Sequence, residues 1–288
     1  MCSSDLAWFA DKNWIVRKGE LVLSDSTKYV TLWSFYLPKN AELWENSIEY
    51  LHDSGYWFSK FYGDYPYNHL TAVDGDMSAG GGMEYPNITV ISTAGSKDLL
   101  EYVIMHEVGH NWFYGILGFN ERDHTWMDEG LNEYSNIRYW QKKYSSRNEQ
   151  ILIQDIIQNK LGIGKNLSMS WINYAGYVSA GISKDSQPLN LTADDYSSIN
   201  YGMHYTKPAV FMRYLEHYLS EEKINIIFNR IAFYRMSMTV NVVLGDIQWL
   251  VCCYTYLIFN NIYTRDHFGD SMFNLQSCIH FEEVEVLG

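Results

Sequence analysis

Five residues in the middle of the chain, His106-Glu107-Val108-Gly109-His110, have the types and spacing to bind and use a metal ion. They lie in DLLEYVIMHEVGHNWFYG, a stretch that reads as helix. Histidines at i and i+4 share one helix face a turn apart, so both imidazoles can reach one ion. Glu107 lies beside that face, where a carboxylate could touch a water held by the ion. Catalytic zinc sites take three protein ligands and leave a position for water. The third donor must come from elsewhere, and Glu129 stands eighteen residues after His110 in the run Trp126-Met127-Asp128-Glu129-Gly130-Leu131. A helix, a turn and a second antiparallel helix fit that gap. Two histidines and a glutamate form a ligand set used by zinc peptidases, with one zinc per chain expected. An ion so held lowers the pKa of water towards ~7, and Glu107 can take the proton and hand it to a departing amine. Glu133, one turn after Glu129, either accepts a hydrogen bond from a ligand histidine's second nitrogen or is a solvated helix carboxylate.

The elements that must position these groups follow from periodicity. Residues 14–37 alternate apolar and polar, which predicts two strands joined near Ser24–Ser26. Residues 40–62 have helical periodicity, with Asn40 as cap and Gly63 as stop. Strand-like runs follow at His69–Val73 and Asn87–Ser92, with the glycine-rich turn SAGGGMEYP between them. Helices are expected from about Ser96 to Gly115, from about Thr125 to Tyr144, and over Asn148–Lys160. Residues 162–200, with their Gly, Ser, Asn and Asp clusters, read as loops with short turns. Tyr205–Tyr218 is helical again, with Pro208 tolerable only in a first turn. Strands cluster early and helices dominate afterwards, so the fold class is α+β. Three regions result: a strand-rich entry at 1–37, a catalytic region at 38–236, and a tail at 237–288 with one Lys or Arg and three of the four cysteines.

Composition narrows the functions. The 288 residues are 47% hydrophobic and 19% charged, which is ordinary for a folded domain and argues against disorder. A formal net charge of −13, without a Lys/Arg cluster, argues against nucleic acid as a partner. An acidic field suits a substrate with a positive end, such as a free peptide α-amine, although solubility alone also accounts for it. Cys2, Cys252, Cys253 and Cys278 form no CxxC pair and no disulfide framework. The first residues lack the basic start and apolar run of a secretory signal. The apolar stretch Trp249–Phe259 is too short to span a bilayer, so no transmembrane segment is expected. Compartment and oligomeric state stay open.

Three ordered motifs carry a family resemblance. The H-E-x-x-H string, the eighteen-residue gap and the W-x-D-E-G run resemble the zinc aminopeptidases of the aminopeptidase N and leukotriene hydrolase type. Gly81-Gly82-Met83-Glu84 matches the G-x-M-E part of that family's exopeptidase motif, with Tyr85 in place of the usual Asn. Tyr205-Thr206-Lys207-Pro208-Ala209 resembles its Y-x-K-G-A segment, with Pro208 where Gly is usual. The likeness covers residues 7 to 220. It implies a thermolysin-like catalytic domain that removes N-terminal residues from peptides with a free N-terminus. It also implies Tyr205 as the phenol donor to the developing oxyanion, with Tyr201 the competitor, and Glu84 as the partner of the substrate α-ammonium. Gly81 and Gly82 would let a backbone approach the peptide closely. Family members usually carry a β-rich domain before the catalytic one and often a helical domain after it, so a catalytic-domain fragment is expected. Two alternatives fit the same metal site: a zinc endopeptidase, and a zinc-binding fragment that folds without turnover.

Overall fold

A computed structural model of the protein describes residues 7–75, 77, 81–92, 94–118, 120–144, 169–183, 186–197 and 200–230. The helix expected over 148–160, all four cysteines, the stretch 249–259 and the tail at 237–288 lie outside the described residues. Five strands form one mixed sheet in the order β1-β2-β3-β5-β4. These are β1 (Ile15–Val22), β2 (Tyr29–Tyr36), β3 (His69–Asp74), β4 (Gly82–Met83) and β5 (Ile88–Ile91). β1 and β2 form an antiparallel pair in which Ile15 faces Tyr36 and Val22 faces Tyr29. β3 runs parallel to both β2 and β5, and β4 closes the far edge antiparallel to β5.

Burial follows position in the sheet. β2 alternates, with Val30, Leu32, Ser34 and Tyr36 buried, because only one face meets the helices. β3 is buried from Leu70 to Asp74, as a strand flanked on both edges should be. Edge strand β1 carries exposed Arg17, Lys18 and Glu20, charges that discourage further pairing.

The parallel step from β2 to β3 needs a crossover, and helices supply it: α1 (Ala41–Trp44) and α2 (Ser47–Tyr62). The single helix expected over 40–62 is broken at Glu45–Asn46. Asn40 holds the N-cap position of α1 but makes no side-chain capping hydrogen bond. Its side chain donates to Asp74 at the end of β3 (2.8 and 3.1 Å), which also accepts from the Leu37 backbone N–H (3.0 Å). This anchor turns the chain so that Trp44 is buried and stacks on Tyr36 (5.9 Å between ring centres). Gly63 stops α2 as expected, at φ 109°, where a side chain would be strained.

The remaining helices are α3 (Lys97–His110), α4 (Leu131–Lys143), α5 (Met169–Ser183), α6 (Met203–Leu219) and α7 over 221–230. The Ser96 hydroxyl accepts the Leu99 N–H (3.2 Å) and so starts α3. The expected helix to Gly115 continues past His110 as a π-helical segment, Asn111–Ile116, and the one from Thr125 opens with another, Trp126–Gly130. α5 contradicts the expectation of loops at 162–200. Its glycines lower helix propensity, but Gly176 permits close packing, since a Cβ on it would lie 3.3 Å from Thr206 Cγ2 of α6.

Arg138 of α4 ties the helical layer together. Its buried guanidinium donates to Tyr62 Oη (3.1 Å), Asn225 Oδ1 (2.5 Å) and Glu221 Oε1 (3.3 Å), and it lies 4.1 Å from the Phe61 ring centre. Glu216 of α6 is 3.6 Å away. Arg138→Ala removes the cation from this cluster and is expected to cost about 3–5 kcal/mol in urea unfolding. Arg138→Lys, which keeps the charge but loses the fork, should fall between the two.

Candidate metal centre

α3 is packed deeply enough to act as a rigid mount. Leu100, Ile104, Met105 and Val108 are each fully buried. Gly109 lets α3 approach its neighbours, because a Cβ there would lie 1.9 Å from Asn132 Oδ1 and 2.6 Å from Phe58 Cε1. From α4, Asn132 donates to the His106 carbonyl (2.7 Å) and fixes the register of the two helices.

On this mount His106 and His110 stand with their Nε2 atoms 3.2 Å apart. Glu129 Oε2 lies 3.2 Å from His106 Nε2 and 3.4 Å from His110 Nε2. A tetrahedral ion with ligands at ~2.0–2.1 Å sets neighbouring ligand atoms about 3.3–3.4 Å apart. The donor triangle fits zinc in both chemistry and size. Glu129 reaches this point from within the π-helical segment Trp126–Gly130, whose wider turn differs from the α4 helix it leads into.

Sequence reasoning missed the groups that orient the imidazoles. His110 Nδ1 pairs with Asp128 Oδ1 (2.5 Å), both buried. His106 Nδ1 meets the side-chain amide of Asn136 (2.7 Å). Asp128 precedes Glu129, and Asn136 follows it by seven residues, two helical turns along the same face. The helical period could have pointed to Asn136. Glu133 is not a solvated carboxylate: it is 4% exposed and accepts from Tyr102 Oη (2.7 Å), Asn136 Nδ2 (3.0 Å) and Asn173 Nδ2 (2.7 Å). It reaches His106 through Asn136.

The electrostatics are those of a buried acidic site. Burial pushes Glu107 up to about 7, against the pull of His106 and His110. Burial also raises Asp128, whereas Glu129 is held well below the usual carboxylate range because the two histidines outweigh its own burial. His110 is raised well above the usual imidazole range: burial opposes its charge, but Asp128 and Glu129 prevail.

The other expected residues gather around the triangle. Glu107 Oε2 is buried without a hydrogen-bond partner, an orphan beside the donors. Gly82 makes room for that side chain, since a Cβ on it would lie 2.4 Å from Glu107 Cγ and Oε1. Gly81 sits at φ 70°, in the left-handed region that favours glycine. Met83 is half-exposed on edge strand β4, and its carbonyl accepts the Thr89 hydroxyl (3.0 Å). The Glu84 carboxylate lies within 4.8 Å of ligand-capable atoms of both His110 and Asp128. Tyr85 turns away from Asn chemistry: its ring meets Phe9 (6.3 Å) and its carbonyl closes a turn with Ile88 N–H (3.0 Å).

Tyr205 lies in the first turn of α6 with its ring against His106 (6.0 Å, 22° between planes). Burial and the neighbouring Glu129 raise its pKa far above the ordinary phenol value. Tyr201 is 43% exposed, 6.3 Å beyond the Tyr205 ring. Pro208 falls in the second turn of α6, not the first as expected. Gly130 accommodates it: a Cβ there would lie 2.4 Å from Pro208 Cγ and 2.6 Å from the His204 carbonyl, the group Pro208 cannot bond.

A small mixed sheet, a helix bearing H-E-x-x-H and a third donor from the next helical segment define an α+β metallopeptidase-type catalytic domain. Residues 48–235 match the peptidase family M1 domain, and the chain belongs to that family. It is 27% identical to glutamyl aminopeptidase of Bos taurus over 141 residues, which cover 47% of this chain and 13% of that protein. Over 68 residues it is 37% identical to aminopeptidase Q of Homo sapiens, covering 23% and 7%. The chain thus matches only about an eighth of the length of the bovine relative. Its fold is similar to an M1 zinc metallopeptidase from Deinococcus radiodurans (TM-score 0.55, 15% identity, 77% of this chain and 44% of that one). It is also similar to Legionella pneumophila aminopeptidase A (TM-score 0.52, 11% identity, 78% and 24%). Among the described residues, no helix is long and apolar enough to cross a membrane.

The Gly130–Pro208 contact joins the segment carrying Glu129 to the helix carrying Tyr205. Gly130→Ala should destabilise the fold by about 1–3 kcal/mol. Adding Pro208→Gly should recover part of that loss, read as a coupling energy in a double-mutant cycle by urea unfolding.

Proposed function

We propose that this chain carries the catalytic centre of a zinc-dependent aminopeptidase, which hydrolyses the N-terminal bond of peptides. The observation that carries this reading is the donor triangle with Glu107 beside it, its Oε2 buried and unpartnered. In it His106, His110 and Glu129 hold one zinc ion per chain. Zinc bound there supplies a Lewis acid that acidifies water and polarises a carbonyl.

The remaining work falls to the protein's own side chains. Glu107, with a pKa near 7 raised by burial, takes the proton of the attacking water at its carboxylate and returns it to the departing amine. Tyr205 keeps its proton because burial and Glu129 raise its pKa, so its hydroxyl can donate to the carbonyl oxygen as negative charge develops. Glu84 pairs with the substrate α-ammonium, which restricts cleavage to the first residue. Gly81 and Gly82 admit the peptide backbone, and Met83 lines the same edge. The names of the relatives, glutamyl aminopeptidase and aminopeptidase Q, support peptides with free N-termini as substrates.

Hydrolysis of aminoacyl amides should be lost on chelation and fall by about 10²–10⁴ in Glu107→Gln. Tyr205→Phe should lower kcat by about 10²–10³. N-acetylation of the substrate should abolish turnover, and Glu84→Ala should cripple it. Equal turnover of acetylated and free substrates would overturn the aminopeptidase reading in favour of an endopeptidase. One zinc per chain with no amide hydrolysis would leave the metal centre and remove the catalysis.

A further inference from the structure

The two imidazoles of the centre are backed differently, and the difference has a consequence for metal binding. An imidazole that gives its Nε2 lone pair to a cation carries its proton on Nδ1, so the group facing Nδ1 must accept a hydrogen bond. For His110 that group is the Asp128 carboxylate at 2.5 Å, an acceptor in any orientation. For His106 it is the amide of Asn136, which has a donor end and an acceptor end.

Here Asn136 presents its donor end. Nδ2 stands 2.7 Å from His106 Nδ1 and 3.0 Å from Glu133 Oε2, and serves both. A donor in that place suits a ring whose Nδ1 lone pair is free, not one whose Nδ1 carries the proton. A cation on Nε2 moves the proton to Nδ1. Asn136 must then turn its amide by half a rotation, a change of no volume, to bring Oδ1 to the ring. Oδ1 is buried and without a partner, so the turn breaks no bond on its side.

The turn meets one obstacle. It brings Oδ1 to the place now held by Nδ2, 3.0 Å from a carboxylate oxygen of Glu133. Two acceptors at that distance repel. Glu133 has little freedom to retreat, because Tyr102 Oη and Asn173 Nδ2 hold its two oxygens at 2.7 Å each, from α3 and α5. Glu133, Asn136 and Asn173 are all buried, so solvent does not screen the contact.

We infer that Asn136 is a metal-coupled amide switch, and that Glu133 biases it towards the orientation that disfavours zinc on His106. This inference rests on the zinc reading of the triangle. Glu133→Gln replaces the opposing oxygen with a donor that can serve Oδ1 in the turned state, and the Tyr102 hydroxyl can accept its second proton. Removing a carboxylate behind a ligand histidine would ordinarily weaken binding. The switch predicts the opposite sign.

The test is zinc affinity of the full chain, by competition with a chromophoric chelator. Glu133→Gln should lower Kd about tenfold. Asn136→Ala should raise it by about 10–100-fold, and Glu133→Gln should then have no effect in that background. Nitrogen-15 NMR of the wild-type His106 ring should show the proton on Nε2 in chelator-stripped protein and on Nδ1 with zinc bound. An unchanged or raised Kd in Glu133→Gln would overturn the switch, as would the same gain without Asn136 or an Nδ1 proton in both states. If the wild type binds no zinc, or binds it equally well after His110→Ala, the centre itself fails and the switch with it. Zinc binding that depends on His110 but ignores Glu133→Gln removes the switch alone.

Discussion

The convergence of His106 Nε2, His110 Nε2 and Glu129 Oε2 on one point, with edges of 3.2 to 3.4 Å, is the constraint on which the rest of the structure depends. Gathering in a buried place costs each of these groups its water, a loss that mutual attraction offsets for His110 and Glu129 but not for Glu107. Glu84, Glu107 and Asp128 crowd the same region and sharpen the problem. The protein opposes this tendency with rigidity. α3 is capped at Ser96, packed on its apolar face, and locked to α4 through Gly109 and Asn132. A divalent cation would relieve the opposition that packing holds in check.

Two departures from regular helix occur where that constraint is met. The chain enters a π-helical segment directly after His110, and a second one carries Asp128 and Glu129. Such turns recur at functional sites because they re-aim side chains without ending the helix. Glycine performs the complementary task of admitting neighbours. Gly82 seats the Glu107 carboxylate, and Gly130 admits Pro208 and the carbonyl that Pro208 leaves free. A proline in a second helical turn is costly in isolation. Here it is accommodated by Gly130, the residue that directly follows Glu129.

Where local reading and structure part, a tertiary partner decides. Asn40 looks like a helix cap, but its side chain donates to Asp74 at the end of β3 instead. Residues 169–183 fall in a stretch whose Gly, Ser, Asn and Asp clusters read as loop, yet contact with α6 makes Gly176 useful. Glu133, one turn after Glu129, suggests either a direct partner of a ligand histidine or a solvated face. Donors from α3, α4 and α5 instead enclose it.

What the sequence by itself determined was which side chains could converge on one point, because ligation would need specific residue types and a helix imposes a fixed period on them. His106, His110 and Glu129 were legible from type and spacing, as were the alternating strands β1 and β2 and the α+β order of elements. Tertiary structure alone decided which groups stand behind the donors, since Asp128, Asn136 and Glu133 gain their meaning from distances across helices. It also decided which of two tyrosines lies against His106 and how Pro208 is housed. The division has one physical cause. Local sequence sets directions along a single element, whereas burial and hydrogen bonding between elements depend on contacts that no local pattern records.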